Sequence, residues 1–372
     1  MQARVVFDDG RYRIVLHPGT RPDILVVAFD PMFVFAHEAK AGFGVTFLTQ
    51  AGLSVLAISK YRECFYQHLD PEVLRRLAPL DPARRTVTYG SSVGAYAALY
   101  FSGVLDAAAL AFSPRLPVHP VVRTPDGPYR AVTAPHLHPV DYGAAISGRD
   151  HLIIHDPWDD IDRRFVETTL GHLPPQTFTR AWLFGHPTIQ PLVQLGLAKA
   201  MALDFITKGT RPSSAFRRQK GRSSRYLAIA SIRAARTGHA ATALNLADRA
   251  LAAGETSLSH AIHRFRLLMT IDRPADAIAA FDGHTLAPAE LALVAKAHAN
   301  LENWPAALEA LDQALALASG APAWLLRDTA DVLWRAGKHK QAFSTLDEAQ
   351  TLFPADLAFS QRRSRWEKAV RT

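Results

Sequence analysis

The chain has 372 residues, 48% hydrophobic and 20% charged, the balance of an ordinary folded protein rather than a disordered or fibrous one. At roughly 100 to 200 residues per domain, two domains are expected, and a formal charge of +8 speaks to solubility and association before it speaks to any binding site. No apolar run reaches the roughly 18 residues of a spanning helix. The alternating start MQARVVFDDGRYRIVL is unlike a secretory signal, and a single cysteine, Cys64, leaves no internal disulfide, so a cytoplasmic protein with Cys64 as a packing residue is expected. In chain order, strands are predicted at ARVVF, YRIVL, ILVVAF, LSVLAIS, RTVTY, AAALAFS, HLIIHD and RAWLFG. The first two alternate and form an antiparallel hairpin. The middle ones are apolar throughout, as strands buried on both faces must be, with helices such as 71–78 between them. The fold class is therefore α/β, a mostly parallel central sheet sandwiched by helices, followed by an all-α repeat region.

The fifth strand runs into Gly90-Ser91-Ser92-Val93-Gly94 and then an alanine-rich helix. A serine on a sharp strand-to-helix turn needs tiny flanking residues, and the helix N-terminus behind it points free N–H groups at developing negative charge. In this setting the pentapeptide resembles the nucleophile elbow of the α/β-hydrolase fold. That resemblance implies Ser92 as nucleophile, then an acid and then a histidine, each after a later strand. His186, in Gly185-His186-Pro187 after the last predicted strand, fits the histidine. Asp156, in Asp156-Pro157 after the seventh strand, is the expected acid, with Asp159 and Asp160 as alternatives in the same loop and Asp162 as the N-cap of the next helix. His151 and His155, before and within that strand, are expected to take a packed or surface role rather than a catalytic one. The serine hydroxyl needs an imidazole to take its proton and a carboxylate to hold that imidazole.

The resemblance also implies two oxyanion donors, the N–H of Val93 and one from the loop after ILVVAF. That loop reads Asp30-Pro31-Met32, in which proline has no N–H and an ionised Asp30 would oppose an oxyanion, so the backbone N–H of Met32 or of Asp30 is the expected donor if the Asp30 carboxylate turns away, and otherwise the site has drifted. The stretch 113–150 stands where hydrolases insert a lid. Its Arg115, Arg123, Arg130, His119, His136 and His138 suggest a polar or anionic substrate, and the His-x-His pair has no further ligand at metal-binding spacing. No metal and no cofactor is expected.

Between Asp204 and Asp248 no acidic residue occurs, and KGTRPSSAFRRQKGRSSR reads as a flexible basic linker over 208–225, since a nucleic-acid site would want more aromatic partners than Phe216 and Tyr226. It divides a domain at 1–207 from one at 226–372. The second repeats itself about Ala243, Ala277, Ala307 and Ala342, at spacings of 34, 30 and 35, with Ala250, Ala314 and Ala349 seven residues beyond three of them and Pro354 closing the last unit. A period near 34 resembles tetratricopeptide repeats over roughly 223–356, with His284 breaking the pattern. Such stacks imply a protein or peptide partner. The reading is a serine hydrolase of a small-molecule or saccharide ester or thioester, positioned by its repeats. The alternatives are an inactive hydrolase-fold scaffold and an acyltransferase acting on a polysaccharide.

Overall fold

In the computed structural model, residues 2–37, 41–122, 134–139, 143–212 and 216–371 are described. The chain forms two compact units, Met1–Ile229 and Ala230–Thr372.

The first unit is built on one eight-stranded sheet: β1 (Arg4–Asp8), β2 (Tyr12–His17), β3 (Arg21–Phe29), β4 (Leu53–Lys60), β5 (Arg85–Ser91), β6 (Ala108–Phe112), β7 (Leu152–His155) and β8 (Phe178–Arg180), in the spatial order β1-β2-β4-β3-β5-β6-β7-β8. β2 lies antiparallel to both β1 and β4, and every later pairing is parallel. The apolar runs are explained by what covers them. On β3, Val27 and Phe29 face a core shared with α2 (Pro71–Leu77), α3 (Val93–Tyr100) and α4 (Asp160–Thr169). Val26 and Ala28 face the opposite core, shared with α1 (Val45–Gln50), α5 (Ile189–Gln194) and α6 (Ala198–Lys208). In register, Gly90 of β5 lies between Phe29 of β3 and Ala111 of β6, so the turn that follows opens at the C-terminal edge of the sheet's centre.

Two boundaries differ from the sequence reading. The last strand ends at Arg180, not Gly185. Leu183 and Gly185 have φ of 64° and 66°, and their N–H groups, which a ladder would need, go to the Asp156 carboxylate at 3.0 and 2.7 Å. In the basic stretch, the described residues 208–212 and 216–225 are anchored at several points rather than loose. Arg211 donates to the Gln176 and His151 carbonyls and pairs with Asp150. After α7 (Phe216–Gln219), in which Phe216 is buried against Phe184, Ser223 donates to Gln194 at 2.6 Å. One buried aromatic and a few polar anchors thus outweigh a composition that otherwise favours solvent.

The division between units falls inside α8 (Ser224–Arg236). The second unit continues with α9 (Ala240–Ala252), α10 (Leu258–Thr270), α11 (Pro274–Ala279), α12 (Pro288–Asn300), α13 (Trp304–Leu317), α14 (Ala323–Arg335), α15 (His339–Leu352) and α16 (Leu357–Arg371), each packing on the next from α9 onward. Ala243, Ala277, Ala307 and Ala342 fall on α9, α11, α13 and α15 and are fully buried, as are Ala250, Ala314 and Ala349. A methyl group at these places lets neighbouring helices approach closely, which is the physical content of the period. α11 is the short member of the series and ends before His284.

Candidate active site

β5 ends at Ser91, α3 begins at Val93, and Ser92 between them has φ 57° and ψ −121°. A side chain at positive φ is strained and persists only where the surroundings enforce it. Both glycines enforce it. A Cβ on Gly90 would lie 2.2 Å from the Gly94 carbonyl oxygen, and one on Gly94 would lie 2.4 Å from that of Phe29. The Ser92 N–H also donates to the Phe112 carbonyl at 2.9 Å. The neighbouring Ser91 is a buried strand residue.

Ser92, 6% exposed, sets its Oγ 2.8 Å from His186 Nε2. On the other side of the ring, Nδ1 lies 3.0 and 3.1 Å from the two carboxylate oxygens of Asp162. An ionised carboxylate only accepts, so His186 Nδ1 carries the proton and Nε2 is free to accept from the serine hydroxyl. Asp162 is 0% exposed. Burial pushes its carboxyl upward most strongly, but His186 and Arg115 together outweigh that and hold it below the ordinary range.

The carboxylate at His186 is therefore not that of Asp156, Asp159 or Asp160. Asp156 is turned to the backbone, accepting from the N–H groups of Trp158, Leu183 and Gly185, and burial raises its carboxyl against those bonds. It shapes the loop that carries His186. Asp159, not Asp162, is the N-cap of α4, and its Oδ1 accepts from the Asp162 N–H at 2.9 Å. The helix thus starts three residues earlier than expected and brings Asp162, in its first turn, onto the histidine. Asp160 pairs with Arg163 and its side chain is 83% exposed.

Val93 opens α3, and the first N–H groups of a helix have no partner within it. In the loop after β3, the Asp30 carboxylate takes the Phe43 N–H and the Ser59 hydroxyl, both at 2.6 Å, while its own N–H goes to the Ile58 carbonyl. The Phe33 N–H goes to Glu63. Two residues that composition did not single out hold this loop. Buried Lys60 donates to the Pro31 carbonyl at 3.0 Å, approaches Glu63 at 3.4 Å and lies over the Tyr66 ring. A Lys-x-x-Glu spacing at the end of an apolar strand was the available signal.

In the segment 113–150, Arg123 and Arg130 lie outside the described residues. Arg115 does not face outward. Its buried guanidinium donates to Asp162 and Asp159. The His119 Nδ1 accepts from the Val121 and Val122 N–H groups. His138 is bonded to the Tyr96 hydroxyl at 2.5 Å and stacked on Tyr100 at 3.9 Å, which ties the end of this segment to α3. In β7 and just before it, His155 is buried and His151 binds the Ala109 N–H and the Ser147 carbonyl. Cys64 is buried 3.1 Å from the Tyr12 hydroxyl.

No protein-family model matches the chain, and no curated protein does. Among solved structures it is similar to helical-repeat proteins. One is a crystal structure of MamA, with 19% identity over 35% of this chain and 77% of that one and a TM-score of 0.32. Another is YrrB, described as a tetratricopeptide-repeat protein with an unusual peptide-binding site, with 13% identity over 39% and 77% and a TM-score of 0.33. A third is MamA from residue 41 to its end, from Desulfovibrio magneticus, with 16% identity over 44% and 97% and a TM-score of 0.35. Among the described residues no helix is long and apolar enough to cross a membrane.

Proposed function

We propose that the first unit is an α/β-hydrolase that cleaves an ester or thioester through an acyl-enzyme on Ser92. The observation that carries this is the relay of Ser92 Oγ, His186 and Asp162 at 2.8 and 3.0 Å, set on a positive-φ serine between two sterically required glycines. As the hydroxyl attacks the substrate carbonyl, His186 Nε2 takes its proton, and Asp162 holds the ring and balances the imidazolium. The same proton then goes to the leaving group, and water attacks the acyl-enzyme by the same route. The N–H groups of Val93 and Met32 are the oxyanion donors in this reading, since those of Asp30 and Phe33 are taken and Pro31 has none. The helical repeats bind a protein or peptide partner and position the enzyme. No cofactor enters these steps.

The rival is a scaffold without turnover, favoured by Pro31 in the oxyanion loop. A fluorophosphonate probe separates the two. The hydrolase labels stoichiometrically, Ser92→Ala abolishes labelling and Ser91→Ala retains it. Equal labelling of both variants would overturn the assignment of the nucleophile, and an unlabelled wild type favours the scaffold. An acyltransferase would label equally and is distinguished by transfer of acyl groups to saccharide hydroxyls.

A further inference from the structure

We infer that Arg115 is a positioning residue for this site, keeping the Asp162 carboxylate both in place and ionised against His186. The inference deepens the hydrolase reading of Ser92 and rests on it. Arg115 follows β6, and its backbone N–H donates to the Ser92 carbonyl at 3.3 Å. Its guanidinium reaches Asp162 Oδ1 through Nε at 2.9 Å and Nη2 at 2.7 Å, and the same Nη2 reaches Asp159 Oδ1 at 2.7 Å. One residue thus joins three parts of the site, its backbone N–H holding the residue that carries the hydroxyl and its side chain holding the cap of α4 and the carboxylate beside the imidazole.

The need for a second cation follows from the chemistry. A fully buried carboxylate is costly unless paired. To act as the base, His186 must start without the serine proton, when it can offer Asp162 a hydrogen bond but no charge, and it is a cation only while it holds that proton. Asp159 adds a like charge nearby. His155, which also feels the Asp162 charge, is lowered by burial to about 4 and offers no charge at neutral pH. Among the described residues Arg115 is the permanent cation in contact with Asp162. It stabilises the carboxylate through the whole cycle, whereas His186 does so through only part of it.

The test uses the full chain with Arg115→Leu and Arg115→Lys. Two quantities are followed as the pH is lowered: the rate of fluorophosphonate labelling, and the far-downfield proton NMR signal of the His186 Nδ1–H bonded to Asp162. Without the guanidinium, Asp162 takes up a proton more readily. The acid limb of the labelling rate should therefore move up by about one pH unit or more in Arg115→Leu, and in the same direction by less in Arg115→Lys, whose ammonium keeps the charge but lacks the planar fork that sets two N–H groups on Asp162 Oδ1. The NMR signal should be lost at correspondingly higher pH. An acid limb and an NMR titration unchanged in both variants would overturn the proposal, including where the rate drops equally at every pH. Should Arg115→Leu fail to fold, Arg115→Lys decides alone. If the wild type is not labelled, the hydrolase reading falls while the NMR titration still judges Arg115.

Discussion

Replacing Asp162 by asparagine tests the site most directly, because the hydrogen bonds around it fix what the amide must do. The two Arg115 N–H groups converge on Oδ1 and can only donate, so the asparagine oxygen stays there and its NH2 falls at the Oδ2 position, 3.1 Å from His186 Nδ1. The NH2 then competes, as a donor to Nδ1, with the Nδ1–H bond to the Oδ1 position at 3.0 Å, and the ring shifts toward the tautomer with its proton on Nε2, facing Ser92, where it can no longer accept. A wrong tautomer in this arrangement costs on the order of 10⁴ in rate, which is about 5.4 kcal/mol of barrier. Asp156→Asn differs in kind: the amide oxygen keeps the Trp158 and Leu183 N–H groups, and the Gly185 bond is lost. That should lower stability by about 1–3 kcal/mol and the rate far less than the first substitution does. Hydrolysis of an activated aryl ester, or the labelling rate, measured beside a melting curve separates the two effects. A larger rate loss for Asp156→Asn at unchanged melting temperature would refute the argument.

Two further outcomes follow from packing. His138 is held neutral by burial, with His136 and His68 adding to the effect, and its folded value falls from 6.5 to about 4. Between those values the unfolded chain binds a proton that the folded one does not, so stability is full above pH 6.5 and declines as pH falls toward about 4. His138→Gln should flatten that slope in melting curves, and an unchanged slope would mean that another group is responsible. A chain cut after Lys208 loses Phe216 and Tyr226 from against Phe184, so it should melt well below one cut after Arg236; equal melting temperatures would return 208–225 to the status of a linker.

The sheet was legible because strands buried on both faces must be apolar throughout, and the elbow because only glycine fits where a Cβ would meet backbone at 2.2 or 2.4 Å. The helical unit was legible because close-packed helices need alanine at fixed intervals. Ser92 and His186 stood out in the sequence, and the structure brings them together. The carboxylate did not stand out, for a specific reason. In DPWDDID both Asp159 and Asp162 are good caps, and which one caps decides which one turns inward. Arg115, 47 residues earlier, binds both, and no local pattern announces it. The basic stretch misled for a similar reason, since its placement depends on Phe216 meeting Phe184 from a distant part of the chain.

The Asp156 carboxylate grips its two loops by main-chain N–H groups alone, which makes no demand on the side chains between them. Gly185 is fixed by its positive φ and by Ile229, 2.5 Å from where its Cβ would be, but Trp158 and Trp182 are exposed and meet each other at 6.1 Å. Mutational drift at those two positions therefore leaves His186 where it is. In a library of variants, these two loop positions are places where diversity costs the scaffold little.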